Sequence, residues 1–251
     1  GSVCDAGTYC GNGSSSAQKC LLGFYNPNTG QESCSVCPAG FYCPQNDTKI
    51  SITCPAGYFC PARSHQPIAC PEGAFSNVAG LTNMSQCSAC SPGMYCSGTG
   101  LVVPSGPCNP GFTCLSGSVS PSPSGQGWRQ GENPSVQIVT GNSVCAAGSF
   151  CTSGSVVALS CPAGTYRSSS QAQSLSDCLP CNAGSFCALG SIAMGICPLG
   201  FYCTSATPAP LPCPIGTFGA AVGLPAESSC TDCPAGRACL NVSLSAPNAM
   251  C

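Results

Sequence analysis

The chain has 251 residues, 27 of them cysteine, and only 8 acidic and 6 basic side chains, for a formal net charge of −2. Cysteine at roughly one residue in nine belongs to a disulfide scaffold in an oxidising compartment. Cations scattered at Lys19, Lys49, Arg63, Arg129, Arg167 and Arg237 exclude the basic patch that nucleic acid or an anionic membrane would need, and 31 Gly with 24 Pro exclude a large shared core.

From the N-terminus the chain repeats one phrase, Cys-x-x-Gly-x-aromatic, which opens at Cys4, Cys20, Cys37, Cys54, Cys70, Cys90, Cys108, Cys145, Cys161, Cys181, Cys197, Cys213 and Cys233. Glycine stands three places on in every copy, from Gly7 to Gly236, and predicts a turn that needs φ > 0 or a close backbone approach. The fifth place is aromatic except at Thr113 and Ala238, and all 16 Tyr and Phe belong to the phrase. Each ring is expected to cover neighbouring disulfides as a module's miniature core.

Taken in order, the cysteines group into a first module over 1-53 and a second over 54-107, each reading C-x5-C-x9-C-loop-C-x2-C-x5-C. A partial module, 108-144, has two cysteines and then a cysteine-free stretch, 115-144; a third module covers 145-196 and a fourth 197-251. Four sixes, a pair and Cys251 account for all 27, and Cys251 reads as the first cysteine of a further repeat. The fold class is therefore small disulfide-rich: tandem cysteine-rich modules of short strands and turns forming an elongated rod.

Pairing is partly legible. The long polar loops contain no cysteine of their own, which predicts Cys20 with Cys34, Cys70 with Cys87, Cys161 with Cys178 and Cys213 with Cys230. The remaining cysteines admit nearest-neighbour closure, such as Cys4 with Cys10, or crossed closure, such as Cys37 with Cys54 and Cys43 with Cys60.

Four sequons, at Asn12, Asn46, Asn83 and Asn241, lie in loops and are candidate N-glycosylation sites, where glycan would supply the hydration that so few charges cannot. The cysteine-free stretch opens as an extended Ser/Pro segment with candidate O-glycosylation at Ser118, Ser120, Ser122 and Ser124 and at hydroxylated Pro121 and Pro123. It continues as a turn leading into a strand from Val136 to Thr140, with Trp128, the sole tryptophan, as a candidate subunit contact.

No catalytic or metal constellation emerges. His65 is the only histidine and stands in a polar loop without an oriented base, the carboxylates form no calcium-loop pattern or close pair, and the CxxC pairs are too far apart for a zinc ribbon. The expectation is a non-enzyme with no cofactor and no metal. No apolar run is long enough to span a bilayer and no charged-then-apolar leader opens the sequence, so it reads as a mature chain or a fragment of one.

The phrases CPAGFYC, CPAGYFC and CSPGMYC, with the CPEGAF...CSAC and CPAGTY...CLPC loops, resemble ephrin-receptor-like cysteine-rich repeats and, more distantly, tumour-necrosis-factor-receptor modules. The resemblance covers nearly all of the chain outside 115 to 144, and long arrays of this kind also resemble those of mastigoneme proteins, the hair-like filaments of flagella. It implies an extracellular or cell-surface structural subunit that self-associates into a glycosylated fibre, without direct membrane insertion. The alternative is a receptor or adhesion ectodomain that binds a protein ligand along the rod. A secreted inhibitor is a third reading, with 115 to 144 as its reactive loop.

Overall fold

The structure, a computed structural model, describes residues 3–124 and 143–250. Its period is the single phrase. In the Cys37 repeat, Pro38-Ala39-Gly40 makes a tight turn in which the Phe41 N–H donates to the Pro38 carbonyl at 3.2 Å. Gly40 occupies its third position at φ 85°, where a type II turn requires the left-handed side of backbone space. The chain then runs as a strand, Phe41–Tyr42, crosses a loop, and returns as Ile52–Thr53 directly before Cys54. The two strands are antiparallel, with Phe41 opposite Thr53 and Tyr42 opposite Ile52. All thirteen phrases build this two-stranded hairpin, and their thirteen turn glycines lie between φ 77° and 89°.

Within each compact unit, a recurring set of backbone bonds joins successive repeats. Between the Cys20 and Cys37 repeats, Gly23 N–H donates to the Cys43 carbonyl at 3.1 Å and Cys37 N–H to the Gly23 carbonyl at 2.9 Å. Asn26 N–H donates to the Thr48 carbonyl at 3.0 Å, and Asp47 N–H to the Cys20 carbonyl at 2.9 Å. Asp47 is a second left-handed position, at φ 73°. Its equivalents are Gly30, Arg63, Gly80, Gly100 and Gly117 and, further along, Gln171, Gly190, Ala206, Gly223 and Ser243, all at positive φ and each donating its N–H to a cysteine carbonyl of the preceding repeat.

The carbonyl of this loop residue closes over the turn glycine two repeats back. A Cβ on Gly7 would stand 2.2 Å from the Asp47 oxygen, and one on Gly164 2.2 Å from the Ala206 oxygen. Where that carbonyl arrives, glycine is required twice, for its φ and for the missing atom; at Gly216 and Gly236, with nothing within 4 Å, only the φ requires it.

Thirteen disulfides each close within one repeat: nine join cysteines six places apart, and four span the longer loops. Closure is nearest-neighbour throughout, and the crossed alternative is excluded. Cysteine also makes the interior. Among the described residues, the buried apolar side chains apart from half-cystines are Ala74, Leu81, Pro123, Phe150 and Ala172. The phrase aromatics are half-buried apart from Phe150, so the rings flank a sulfur core where the sequence reading had them form the core themselves.

The backbone ladder of the single phrase also runs across two of the expected module boundaries. Cys54 N–H donates to the Gly40 carbonyl at 2.9 Å across the expected 53/54 boundary, and Cys197 N–H to Gly184 at 3.0 Å across 196/197, the same bond found within modules. Contacts divide the chain into two compact units, one of 1–108 with 114–142 and one of 109–113 with 143–251.

The cysteine-free stretch is shorter as an interruption than its composition implied. Gly117, at φ 82°, donates to the Cys90 carbonyl, Ser118 accepts from Cys96 N–H, and Ser143–Val144 pairs with Phe112–Thr113, so 115–118 and 143–144 are ordinary repeat. The expected strand from Val136 to Thr140, Trp128 and Cys251 lie outside the described residues.

Candidate functional site

The hairpins place the predicted loop pairs directly opposite each other. Cα separations are 5.7 Å for Cys20–Cys34, 5.9 Å for Cys70–Cys87, 5.6 Å for Cys161–Cys178 and 5.9 Å for Cys213–Cys230, within the range a disulfide spans without backbone movement. In the last three of these repeats a single 3-10 turn, Met84–Gln86, Leu175–Asp177 or Glu227–Ser229, brings the chain to its closing cysteine.

All four sequon asparagines, Asn12, Asn46, Asn83 and Asn241, are exposed. Their settings differ. Asn83 caps the Met84–Gln86 turn, its Oδ1 accepting from Ser85 N–H at 3.1 Å while Nδ2 donates to Thr82 Oγ1 at 3.2 Å. A glycan on Nδ2 would leave both the Oδ1 acceptor and one N–H in place. Asn46 precedes Asp47 and Thr48, which the ladder to the Cys20 repeat holds; Asn241 precedes Ser243, held by Cys213 in the same way.

Two of the O-linked candidates are buried in the folded chain. Ser118 is fully buried, its hydroxyl donating to the Leu115 carbonyl at 2.8 Å, because it fills the loop position held elsewhere by Thr48 and Thr207. Pro123 is also fully buried. Ser120, Pro121 and Ser122 are half-buried and Ser124 is exposed.

The sequence reading missed an aliphatic surface. On the returning strands Ile52, Ile68, Leu159, Leu179 and Leu211 stand opposite Tyr42, Phe59, Phe150, Tyr166 and Tyr202, and directly opposed residues share a face of the hairpin. Each aliphatic remains exposed, Leu159 at 50% and Leu179 at 48%. The signal was an apolar residue two places before the next cysteine, too short a pattern to read as a face without the hairpin register.

Charge contributes little. Lys19 Nζ meets Asp47 Oδ2 at 2.8 Å, but both side chains are exposed, where such a pair is worth about 1 kcal/mol or less. The Asp177 carboxyl is held below its ordinary range, chiefly by the backbone N–H groups of Gln173 and Ser174, which bond its ionised form. Tyr202 is pushed up by desolvation and then by the neighbouring Glu227, whose carboxylate accepts its hydroxyl proton at 3.3 Å.

Among the described residues no group of three His, Cys, Asp or Glu side chains is arranged to hold a metal, and no helix is long and apolar enough to cross a membrane. His65 is exposed. A hollow of about 270 Å³ between Tyr9, Lys19, Leu21, Phe24, Ser33 and Cys34 falls below the usual range for small-ligand sites, roughly 300–1,000 Å³.

No protein-family model matches the chain, and a search of curated proteins finds no match. What the molecule itself establishes is a tandem array closed by thirteen disulfides, suited to an oxidising extracellular setting and to a structural or ectodomain role.

Proposed function

We propose that this chain is a structural subunit of a glycosylated extracellular filament or surface appendage, similar in kind to mastigoneme-type and ephrin-receptor-like repeat proteins. The observation that carries the reading is the exposed aliphatic side chain set opposite a phrase ring on five of the hairpins, in a chain with very few charges. Exposed apolar surface in quantity marks an interaction site, and sparse charge removes the repulsion that keeps proteins apart.

The test is assembly. Wild-type protein should form concentration-dependent oligomers by light scattering and fibres in negative stain, and Leu159→Glu/Leu179→Glu/Leu211→Glu should remain monomeric with its disulfides intact. Monodisperse wild-type monomers at high concentration would overturn the filament reading in favour of a receptor or adhesion ectodomain, for which the same face would receive a protein ligand.

A further inference from the structure

Among the four sequons, Asn46 is set apart by what has become of its hydroxyl residue. Thr48 is 8% exposed, and its Oγ1 donates to the Gln45 carbonyl at 2.5 Å and accepts from Gln45 N–H at 3.3 Å. Its own carbonyl accepts from Asn26 N–H at 3.0 Å, and the central residue, Asp47, is held at φ 73° with its N–H on the Cys20 carbonyl. Ser14 and Ser85, the hydroxyl residues of the Asn12 and Asn83 sequons, are exposed, and the Ser85 hydroxyl donates to Asn83 Oδ1 at the surface, within the sequon itself.

N-glycosylation joins Asn Nδ2 to C1 of the first sugar of a lipid-diphosphate-linked oligosaccharide. The C1–O bond to the lipid diphosphate breaks, the lipid diphosphate leaves, and Nδ2 gives up one proton. The transferase reads the sequon through its Ser or Thr, so a hydroxyl already spent inside the fold hides the acceptor even when the asparagine is exposed.

The bonds that hold Thr48 run to groups N-terminal to it, its hydroxyl to the Gln45 backbone and its carbonyl to Asn26 N–H, while Asp47 N–H is on the Cys20 carbonyl. From this we infer that Asn46 is a folding-gated glycosylation site, modified only while its loop is still open, whereas Asn12 and Asn83 remain acceptors in the folded chain. The inference rests on the glycoprotein part of the proposed function and assigns its sites different rules.

Glycopeptide mass spectrometry on the full chain made in secretory cells would measure occupancy at Asn12, Asn46 and Asn83, with and without a pulse of dithiol reductant during synthesis. Asn46 should be the least occupied under oxidising conditions and rise severalfold under reductant, with Asn12 and Asn83 little changed. Cys37→Ala/Cys43→Ala, which unstaples the same repeat, should raise Asn46 occupancy without reductant. Equal occupancy of the three sites, unmoved by reductant or by the variant, would overturn the gating while leaving the glycoprotein reading intact. Absence of glycan from all of them would overturn both.

Discussion

The nine repeats with a short staple and the four with a long one share a backbone and differ in where the second sulfur goes. In the Cys37 repeat, Cys43 directly follows the Phe41–Tyr42 strand and both half-cystines are buried. In the Cys20 repeat that place belongs to Asn26, only 2% exposed, whose Nδ2 donates to the Thr8 carbonyl at 2.9 Å, and the sulfur has moved to Cys34. Ser76 fills the same place by bonding its hydroxyl to Val78, and Gly219 by leaving it empty, since a Cβ there would stand 2.8 Å from Gly200 N.

The loop position after the left-handed residue varies too. Five short-staple repeats use Thr48, Ser64, Ser118, Ser191 and Thr207, each bonding its hydroxyl to the carbonyl three places back, and the short-staple Cys90 and Cys233 repeats use Leu101 and Leu244. Two long-staple repeats use Leu81 and Ala172 instead, and these make the molecule's small apolar clusters, Leu81 with Cys70, Ala74 and Cys87, and Ala172 with Phe150, Cys161 and Cys178. The comparison teaches that the backbone ladder and the turn glycine define the repeat. The staple is a movable reinforcement, and apolar packing appears where it leaves the strand.

Substitution of the shared glycine should have the largest effect, because it strikes what both classes hold in common. Gly164→Ala meets both the left-handed penalty and a backbone oxygen at 2.2 Å, and should cost on the order of 3 kcal/mol or more in guanidinium unfolding. Gly236→Ala, at φ 78° with nothing within 4 Å, should lose only about 1–2 kcal/mol. Equal losses would show that the close approach two repeats away contributes nothing.

Next come the staples. Removing Cys70–Cys87 as a double alanine variant should cost about 3 kcal/mol from chain entropy, against about 2 kcal/mol for Cys54–Cys60, whose loop is shorter. Disruption of the Leu81 cluster adds to the first, so the gap between the two variants measures how far packing replaces the strand-end sulfur. Asn26→Ala should cost about 1–3 kcal/mol by leaving the Thr8 carbonyl unsatisfied at a buried place, and hydrogen exchange should rise in the Cys4 and Cys20 repeats together. A change confined to one repeat would break the equivalence of asparagine and half-cystine.

The smallest effect is at the cap of a long-staple loop. Asp177 has a lowered folded pKa, so its contribution is fully present above the ordinary aspartate range and is lost as pH falls through that lowered value. Asp177→Asn should therefore melt slightly below wild type at neutral pH, and the difference should vanish in acid. A difference that persists at low pH would assign it to the neutral capping geometry.

Much of this was legible in the residues. Thirteen glycines at one offset announced thirteen turns, and loops without internal cysteine announced their own closure at Cys34, Cys87, Cys178 and Cys230. The true period was hidden because cysteine spacing follows the alternating staple, whereas the hydrogen bonds that define the repeat belong to the backbone and carry no side-chain signature. The second left-handed position was hidden for a related reason: it is held by glycine in some repeats but by Asp47, Arg63, Gln171, Ala206 and Ser243 in others. Ser118 looked like an exposed serine in a Ser/Pro tract, and only its place in the ladder revealed a buried hydroxyl.

Cysteine count, glycine offset and scarcity of charge thus determined from the sequence alone that small stapled turns would replace an apolar core, because these are local demands of composition and φ. Which sulfur meets which along the strand ends, which loop hydroxyls are spent inside, and which aliphatics stay outside were decided only by the tertiary structure. Each depends on the hairpin register and on how the loop folds back on itself, which bring together residues that spacing along the chain does not pair.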